Sequence, residues 1–204
     1  MSQEGVIKFN CNWIKQYPFD FELFNTMNQW RRCLHELGLI GVYEDGLGYG
    51  NISIRSDRDQ FIITGSATGG LKDLTKEHYT KVTSYNIETN SITAKGPIVA
   101  SSESLTHAAI YQSDNSINAI FHVHHIGLWQ HYLDKLPTSN ISIEYGTPSM
   151  ANEIIRLYKE TDLPDNKIMI MGGHQEGIIT FGKTMDEAGE VLLKYYSLLK
   201  ESIH

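Results

Sequence analysis

Helix-type and strand-type hydrophobic patterns alternate along this chain, and this alternation restricts the fold more than any other sequence feature. Residues 20–39 place apolar side chains at three- and four-residue steps, which predicts an amphipathic helix. Two short alternating segments, 51–55 and 60–64, follow and predict a β-hairpin. Further strands are predicted at 81–88, 91–95, 117–124, 167–171 and 177–181, and further helices around 102–112, 148–160 and 185–199. The pattern predicts an α/β layered domain whose sheet is not purely parallel.

Length and composition are those of a folded chain. The 204 residues are 41% hydrophobic and 20% charged, which is enough to bury a full core and excludes a disordered chain. We expect residues 1–204 to form a single domain with an N-terminal extension at residues 1–19. The 17 basic and 24 acidic side chains give a net charge of −7, so no chain-wide positive field exists to bind nucleic acid.

The distribution of apolar residues and cysteines indicates a cellular compartment. No apolar run reaches the ~18 residues that span a bilayer, and the first ten residues lack the features of a signal peptide. The two cysteines are compatible with reduced thiols. We therefore expect a cytoplasmic protein with no membrane partner.

A histidine-rich strand end carries the clearest chemical signal. His122 and His124 lie two residues apart at the end of a predicted strand, so they project from the same face and can reach one metal ion. Taken alone, this pattern more often marks a solvent-facing strand end. His174 lies at a glycine-flanked corner between two predicted strands, where backbone freedom can aim a side chain inward. It is a candidate third ligand, and on its own it would be interpreted as a turn histidine.

A carboxylate follows two serines at the start of the helix predicted around residue 102. Glu103 alone would be interpreted as a partner for the helix dipole. However, Ser101 and Ser102 offer backbone amides at a helix N-terminus, which is a typical anion site. His107 lies one turn further along, on the same helical face as Glu103. A carboxylate, an anion site and a histidine cluster can work together chemically, so these residues are candidates for a single functional site.

Two glycine-rich segments, 48–53 and 64–70, are of a kind that presents amides and hydroxyls to a phosphate. Taken singly, each is most often only a turn. Neither matches the P-loop or the dinucleotide-binding fingerprint, so no nicotinamide site is expected.

Over most of the chain, the order of these motifs resembles that of the class II aldolase and adducin family. This family includes fuculose-phosphate aldolases and ribulose-phosphate 4-epimerases. The matching segments are Gly50 to Ser53, Ile63 to Ser66, Ser101 to Glu103 with His107, His122 to His124, and Gly177 to Gly182 before a helix with Glu187 and Ala188. The resemblance implies a three-layer α/β/α sandwich with a mixed, largely antiparallel central sheet. It also implies a homotetramer.

The resemblance assigns roles to individual residues. It implies a Zn²⁺ or another divalent metal held by three histidines, with His122 and His124 as ligands and Glu103 as the acid/base. His107 would orient Glu103 or simply pack. The positions that would surround the substrate phosphate are Asn51, Thr64, Gly65, Ser66, Ser101 and Ser102.

The chain departs from the family pattern in two places. The family's third histidine stands immediately before a glycine, whereas here Glu176 precedes Gly177 and His174 lies three residues before it. Zinc accepts either a histidine or a glutamate, and we favour His174 because imidazole keeps the charge of the family's site. The family's lysine before the serine pair is Val99 here, which weakens the attraction for a doubly charged phosphate.

The expected function is that of a metal-dependent lyase (aldolase) or epimerase. It would act through a metal-stabilised enediolate on a small sugar-like hydroxy-carbonyl compound, either a phosphorylated one or, since the family's lysine is missing, a different one. One alternative is a dehydratase of the methylthioribulose-phosphate type. The other is a non-catalytic adducin-like module, because a fold does not fix a function, although such a module would not need His122, His124 and Glu103 together.

Overall fold

An eight-stranded mixed β-sheet runs through the centre of the protein. The structure is a computed structural model that describes residues 5–202. Its strands are β1 (Asn10–Lys15), β2 (Gly41–Val42), β3 (Gly48–Tyr49), β4 (Asn51–Asp57), β5 (Gln60–Thr64), β6 (Tyr79–Asn86), β7 (Ser91–Gly96), β8 (Ala119–His124), β9 (Ile168–Ile170) and β10 (Gly177–Gly182). The central sheet has the order β1-β7-β6-β5-β4-β8-β10-β9, and β2 and β3 form a separate hairpin. Only the β1–β7 pair is parallel among the neighbours in the described sheet.

Helices cover both faces of the sheet. They are α1 (Phe24–Glu36), α2 (Ser104–Ser113), α3 (Ile126–Tyr132), α4 (Pro148–Glu160), α5 (Leu163–Asn166) and α6 (Met185–Ser202), with a 3₁₀ turn at Lys76–His78. Side chains alternate between the two faces of a strand, so Ile178 and Ile179 belong to different hydrophobic clusters. One cluster includes α2 and α4, and the other includes α1, α3 and α6. The predicted three-layer α/β/α sandwich with a largely antiparallel sheet is confirmed.

The N-terminal strand β1 was not predicted from the sequence. It lies inside the segment 1–19, which the sequence indicates as an extension, and it pairs in parallel with β7 at the edge of the sheet. Five of its six residues are exposed and only Cys11 is of intermediate burial, so this strand contributes little to the core. The pairing with β7 is a tertiary contact that local periodicity does not report.

The strands that carry the candidate site are in the interior of the sheet. All six residues of β8 are buried, and β8 is flanked by β4 and β10. Asn51 of β4 is paired with His122, and Gly177 of β10 is paired with His124. Across residues 5–202, no helix combines the length and apolar character that a membrane span requires.

Candidate metal centre

Three histidine side chains from two parts of the chain meet at one buried point. His122 and His124 lie on β8, and His174 lies in the corner between β9 and β10. The Nε2 atom of His124 is 3.0 Å from Nε2 of His122 and 2.9 Å from Nε2 of His174. The ligand atoms of the three side chains all lie within 4.8 Å of one another. Nitrogen atoms this close together can bind one ion at the usual Zn–N distance of about 2.0–2.1 Å.

The protonation of the cluster suits a metal ion. Burial, reinforced by the neighbouring histidines, holds the pKa values of His122 and His124 well below the usual value of 6.5, so both imidazoles are neutral. Nδ1 of His122 is 3.3 Å from the carbonyl oxygen of Ile178, which only accepts hydrogen bonds. The His122 proton therefore lies on Nδ1, and the Nε2 lone pair faces the centre. Neutral imidazole donors of this kind suit Zn²⁺ and similar divalent ions.

Glu176 lies outside this cluster. Its Oε2 atom accepts a hydrogen bond of 2.9 Å from the hydroxyl of Tyr43, and the side chain is half-buried. The group that can hold a metal consists of His122, His124 and His174. Of the two candidates for the third ligand, the geometry favours His174.

The corner between β9 and β10 contains glycines because other backbone segments approach it closely. A Cβ atom at Gly172 would lie 2.1 Å from the carbonyl oxygen of Ser139, and one at Gly173 would lie 2.0 Å from that of Ile143. Neither glycine has a positive φ; in this corner the left-handed residue is Glu176, with a φ of 70°. The glycines therefore aim His174 by permitting close packing rather than by the backbone freedom expected from the sequence.

Replacing Gly177 by alanine is expected to displace His174. The added Cβ would lie 2.5 Å from Cδ2 of the His174 ring, a distance that forces the imidazole away from the cluster. We expect Zn²⁺ affinity to fall at least about tenfold, measured by competition with a chromophoric chelator. The control is Gly48→Ala, where the nearest atom to the new Cβ is 3.4 Å away. Equal affinities for the two variants would contradict this prediction.

Glu103 lies beside the cluster at the N-cap position of α2. Its side chain is 1% exposed, and its Oε1 atom is 4.0 Å from Nδ1 of His174. The turn before the helix is held by Ser101, whose carbonyl oxygen accepts from the Ser104 hydroxyl at 2.6 Å. The structure therefore brings the predicted carboxylate to the predicted histidines.

The His107 ring is hydrogen-bonded to Ser53 rather than to Glu103. Its Nδ1 atom is 2.7 Å from the hydroxyl of Ser53, which is 2.8 Å from the hydroxyl of Tyr111. The ring is fully buried, and burial lowers the pKa of His107 to about 3. Of the two roles considered for His107, the structure favours packing.

The positions expected to surround a phosphate lie on adjacent segments. Gly65 forms an antiparallel bridge with Ala100, which places the residues after β5 beside Ser101 and Ser102, and both serines are buried. Asn51 is opposite His122, so the two side chains share one face of the sheet. Within residues 5–202, the buried Oδ1 atom of Asn51 has no hydrogen-bond partner.

The segment after β5 differs from the expected amide cradle. The amides of Gly65 and Ser66 donate to the carbonyl oxygens of His78 and Val99, at 2.8 and 2.9 Å. The Thr64 hydroxyl accepts from the Ile52 amide at 3.3 Å. These amides are committed to the fold, so a ligand contact from Ser66 would have to come from its hydroxyl.

A buried arginine supports the glycine-rich segment 64–70. Arg31 of α1 is 1% exposed, and its Nη2 atom donates to the carbonyl oxygens of Thr68 and Gly69 at 2.9 and 2.7 Å. Burial lowers the pKa of Arg31 to about 10, so the guanidinium stays charged at neutral pH. The sequence shows this residue only as one position on an amphipathic helix.

Three tyrosines contact the histidine cluster and were not identified from the sequence. The hydroxyl of Tyr43 is 2.8 Å from Nδ1 of His124, and the ring of Tyr49 stacks on His124 with centroids 5.4 Å apart. The ring of Tyr145 makes an edge contact with His174 at 4.4 Å. The chain has 11 tyrosines, and no local pattern marks these three.

The fold and the cluster together define a mixed α/β protein with a buried three-histidine centre beside a carboxylate. The sequence profile of the Class II Aldolase and Adducin N-terminal domain matches residues 43–200. The chain therefore belongs to this family. A comparison with curated protein sequences gave no significant match.

Solved structures share the fold. An L-fuculose 1-phosphate aldolase aligns with a TM-score of 0.67 and 18% identity, covering 89% of this chain and 85% of its own. The L-fuculose-1-phosphate aldolase from Thermus thermophilus gives a TM-score of 0.58 and 23% identity, with 88% and 90% coverage. A sugar-phosphate aldolase from Thermotoga maritima gives a TM-score of 0.61 and 16% identity, with 87% and 93% coverage.

Proposed function

We propose that this chain is a divalent-metal-dependent lyase of the aldolase type, or an epimerase, acting on a small phosphorylated sugar-like compound. The observation that carries the proposal is the buried cluster of His122, His124 and His174 with Glu103 4.0 Å from it. Membership of the class II aldolase and adducin family supports it. The names of the structural neighbours, L-fuculose 1-phosphate aldolase and sugar-phosphate aldolase, support the substrate class.

In this proposal the three histidines would hold Zn²⁺ or another divalent ion through nitrogen atoms. When bound, such an ion supplies charge stabilisation for a carbonyl oxygen as a proton leaves or a C–C bond breaks beside it. Glu103 would give or accept the proton, since it is the carboxylate beside the cluster. Asn51 would accept a hydrogen bond from a substrate hydroxyl, because its buried Oδ1 faces the same side of the sheet as His122.

The residues predicted to bind the substrate phosphate lie at and beside the N-terminus of α2. Ser101 and Ser102 precede α2, where the helix N-terminus favours a negative group. The neighbouring segment contains Thr64, Gly65 and Ser66. In this proposal the Ser66 hydroxyl would contact the substrate. The homotetramer, the cytoplasmic location and the single-domain organisation of residues 1–204 belong to the same proposal.

The test is a metal-dependent turnover assay. The purified protein is loaded with Zn²⁺, incubated with L-fuculose 1-phosphate or ribulose 5-phosphate, and assayed for aldehyde release or epimerisation. We expect turnover that a chelator abolishes and added Zn²⁺ restores. Water loss from a methylthioribulose-phosphate substrate would assign the dehydratase alternative instead. Protein that binds no divalent ion and turns over none of these compounds would contradict the proposal and favour a structural module.

A further inference from the structure

We infer that Glu176, Tyr43 and His124 form a chain of hydrogen bonds that positions the His124 imidazole for metal binding. The chain holds the His124 proton on Nδ1 and leaves the Nε2 lone pair facing His122 and His174. Tyr43 and Glu176 would thus be positioning residues that contact no substrate. The inference rests on the proposed metal-dependent function and adds two residues to it.

The direction of each hydrogen bond follows from the groups involved. The Tyr43 hydroxyl has one proton, and it donates this proton to Oε2 of Glu176 at 2.9 Å, because a carboxylate only accepts. The same hydroxyl oxygen is 2.8 Å from Nδ1 of His124. With its own proton already donated, the oxygen can only accept from Nδ1. The His124 proton is therefore on Nδ1, and Nε2 carries the lone pair.

This direction matters because the three Nε2 atoms are so close together. Nε2 of His124 lies 3.0 Å from that of His122 and 2.9 Å from that of His174. If Nε2 of His124 carried the proton, it would donate to one of its neighbours, and the cluster would close into an N–H···N hydrogen bond. The hydrogen bond from His124 Nδ1 to the Tyr43 hydroxyl, and the one from that hydroxyl to Glu176, disfavour that arrangement. Groups that fix the tautomer of a metal-binding histidine are a general requirement of such sites.

The other histidine of β8 is held in the same way by the backbone. Nδ1 of His122 donates to the carbonyl oxygen of Ile178 at 3.3 Å. A backbone carbonyl cannot be removed by substitution, whereas the Tyr43 hydroxyl can. Each of the two histidines therefore has an acceptor at Nδ1. Only the acceptor of His124 is a side chain and can be removed by mutation.

The backbone of the β9–β10 corner explains how Glu176 reaches Tyr43. Glu176 has a φ of 70°, which is unusual for a residue with a side chain and directs it away from the course of the strand. Its carbonyl oxygen accepts from the His125 amide at 3.0 Å, which fixes the corner to the end of β8. Glu176 thus stands immediately before Gly177, where the family has a histidine, yet it acts through Tyr43.

The experiment compares Tyr43→Phe and Glu176→Gln with the unaltered full-length protein. Zn²⁺ affinity is measured by competition with a chromophoric chelator. We expect Tyr43→Phe to weaken binding about 10- to 100-fold, the usual effect of losing such support. Glu176→Gln is expected to weaken Zn²⁺ binding less, because the amide oxygen can still accept from the Tyr43 hydroxyl. A loss of affinity in this variant would come from the amide NH₂ group, which can donate to that hydroxyl and so reverse the direction of the hydrogen bonds.

The matched control is Tyr49→Phe. Tyr49 also contacts His124, but its hydroxyl donates to the carbonyl oxygen of Gly38 at 3.3 Å. The variant keeps the stacked ring and removes a hydroxyl that is not bonded to the cluster. We expect its Zn²⁺ affinity to match that of the unaltered protein.

A second readout separates positioning from packing. In metal-free protein, ¹⁵N NMR of the histidine side chains reports which nitrogen of His124 carries the proton. We expect the proton on Nδ1 in the unaltered protein and a shift towards Nε2 in Tyr43→Phe. Unchanged affinity and an unchanged tautomer in Tyr43→Phe would overturn the inference. If that variant does not fold, the same comparison for Glu176→Ala, which removes the acceptor of the Tyr43 proton, decides it.

The two readouts also distinguish this inference from the proposed function. Absence of Zn²⁺ binding in the unaltered protein overturns the metal-dependent function. Zn²⁺ binding that does not change in either variant, with the His124 proton on Nδ1 throughout, overturns only the role of Tyr43 and Glu176.

Discussion

Replacing Glu103 by glutamine is expected to lower turnover about 10²- to 10⁴-fold while bound metal is retained. Glutamine has the size and shape of glutamate but can neither take nor give a proton at neutral pH. Glu103 is outside the group of three histidines that can hold a metal, so we expect the metal content to be retained when its charge is removed. Its burial at 1% exposure and its position 4.0 Å from the His174 ring place it beside the cluster.

Two measurements on the same preparation check this prediction. Turnover of the substrate found in the metal-dependent assay gives the loss of activity, and elemental analysis gives the metal content. Glu190→Gln is the matched control, because it removes an exposed carboxylate on α6. Turnover that survives in Glu103→Gln would end the assignment of Glu103 as the acid/base. Metal lost together with turnover would instead indicate that Glu103 supports the ion.

Replacing His174 by alanine is expected to empty the metal site, whereas Glu176→Ala keeps it occupied when Zn²⁺ is in excess. Nε2 of His174 is 2.9 Å from that of His124, so it completes the three-nitrogen donor set. Glu176 contacts the Tyr43 hydroxyl rather than this centre. We expect about one ion per chain in the unaltered protein and an affinity loss above about 100-fold in His174→Ala, larger than the loss of a supporting residue.

Elemental analysis of metal per chain distinguishes the two candidate ligands. His131→Ala on α3 is the control, since His131 lies outside the cluster. Metal lost from Glu176→Ala and retained by His174→Ala would reverse the assignment. It would make the glutamate before Gly177 the third ligand.

Local patterns in the sequence predicted where parts of the candidate site lie, and the resemblance to the family joined these parts into one site. Alternation along a strand places His122 and His124 on one face, and the start of a helix places Glu103 near an anion site. These relations span only a few residues, so chain geometry alone determines them. The β4–β5 hairpin and most helices were predicted for the same reason.

Contacts between distant segments were not predictable in this way. Tyr43 and His124 are 81 positions apart, and neither belongs to a pattern that indicates the other. The choice between His174 and Glu176 depends on how the corner between β9 and β10 folds, including the left-handed backbone of Glu176, which periodicity does not reveal. Likewise, the amides of Gly65 and Ser66 are used in long-range backbone hydrogen bonds that only the packed sheet creates.

The pairing of β8 with β10 links metal binding to the assembly of the sheet. Gly177, the first residue of β10, is paired with His124, so the corner that carries His174 reaches the other two histidines only when these strands are paired. An ion that binds the closed arrangement and not the separated strands would shift the equilibrium toward the paired state. A bound ion would therefore stabilise the centre of the sheet in addition to the chemical role proposed for it.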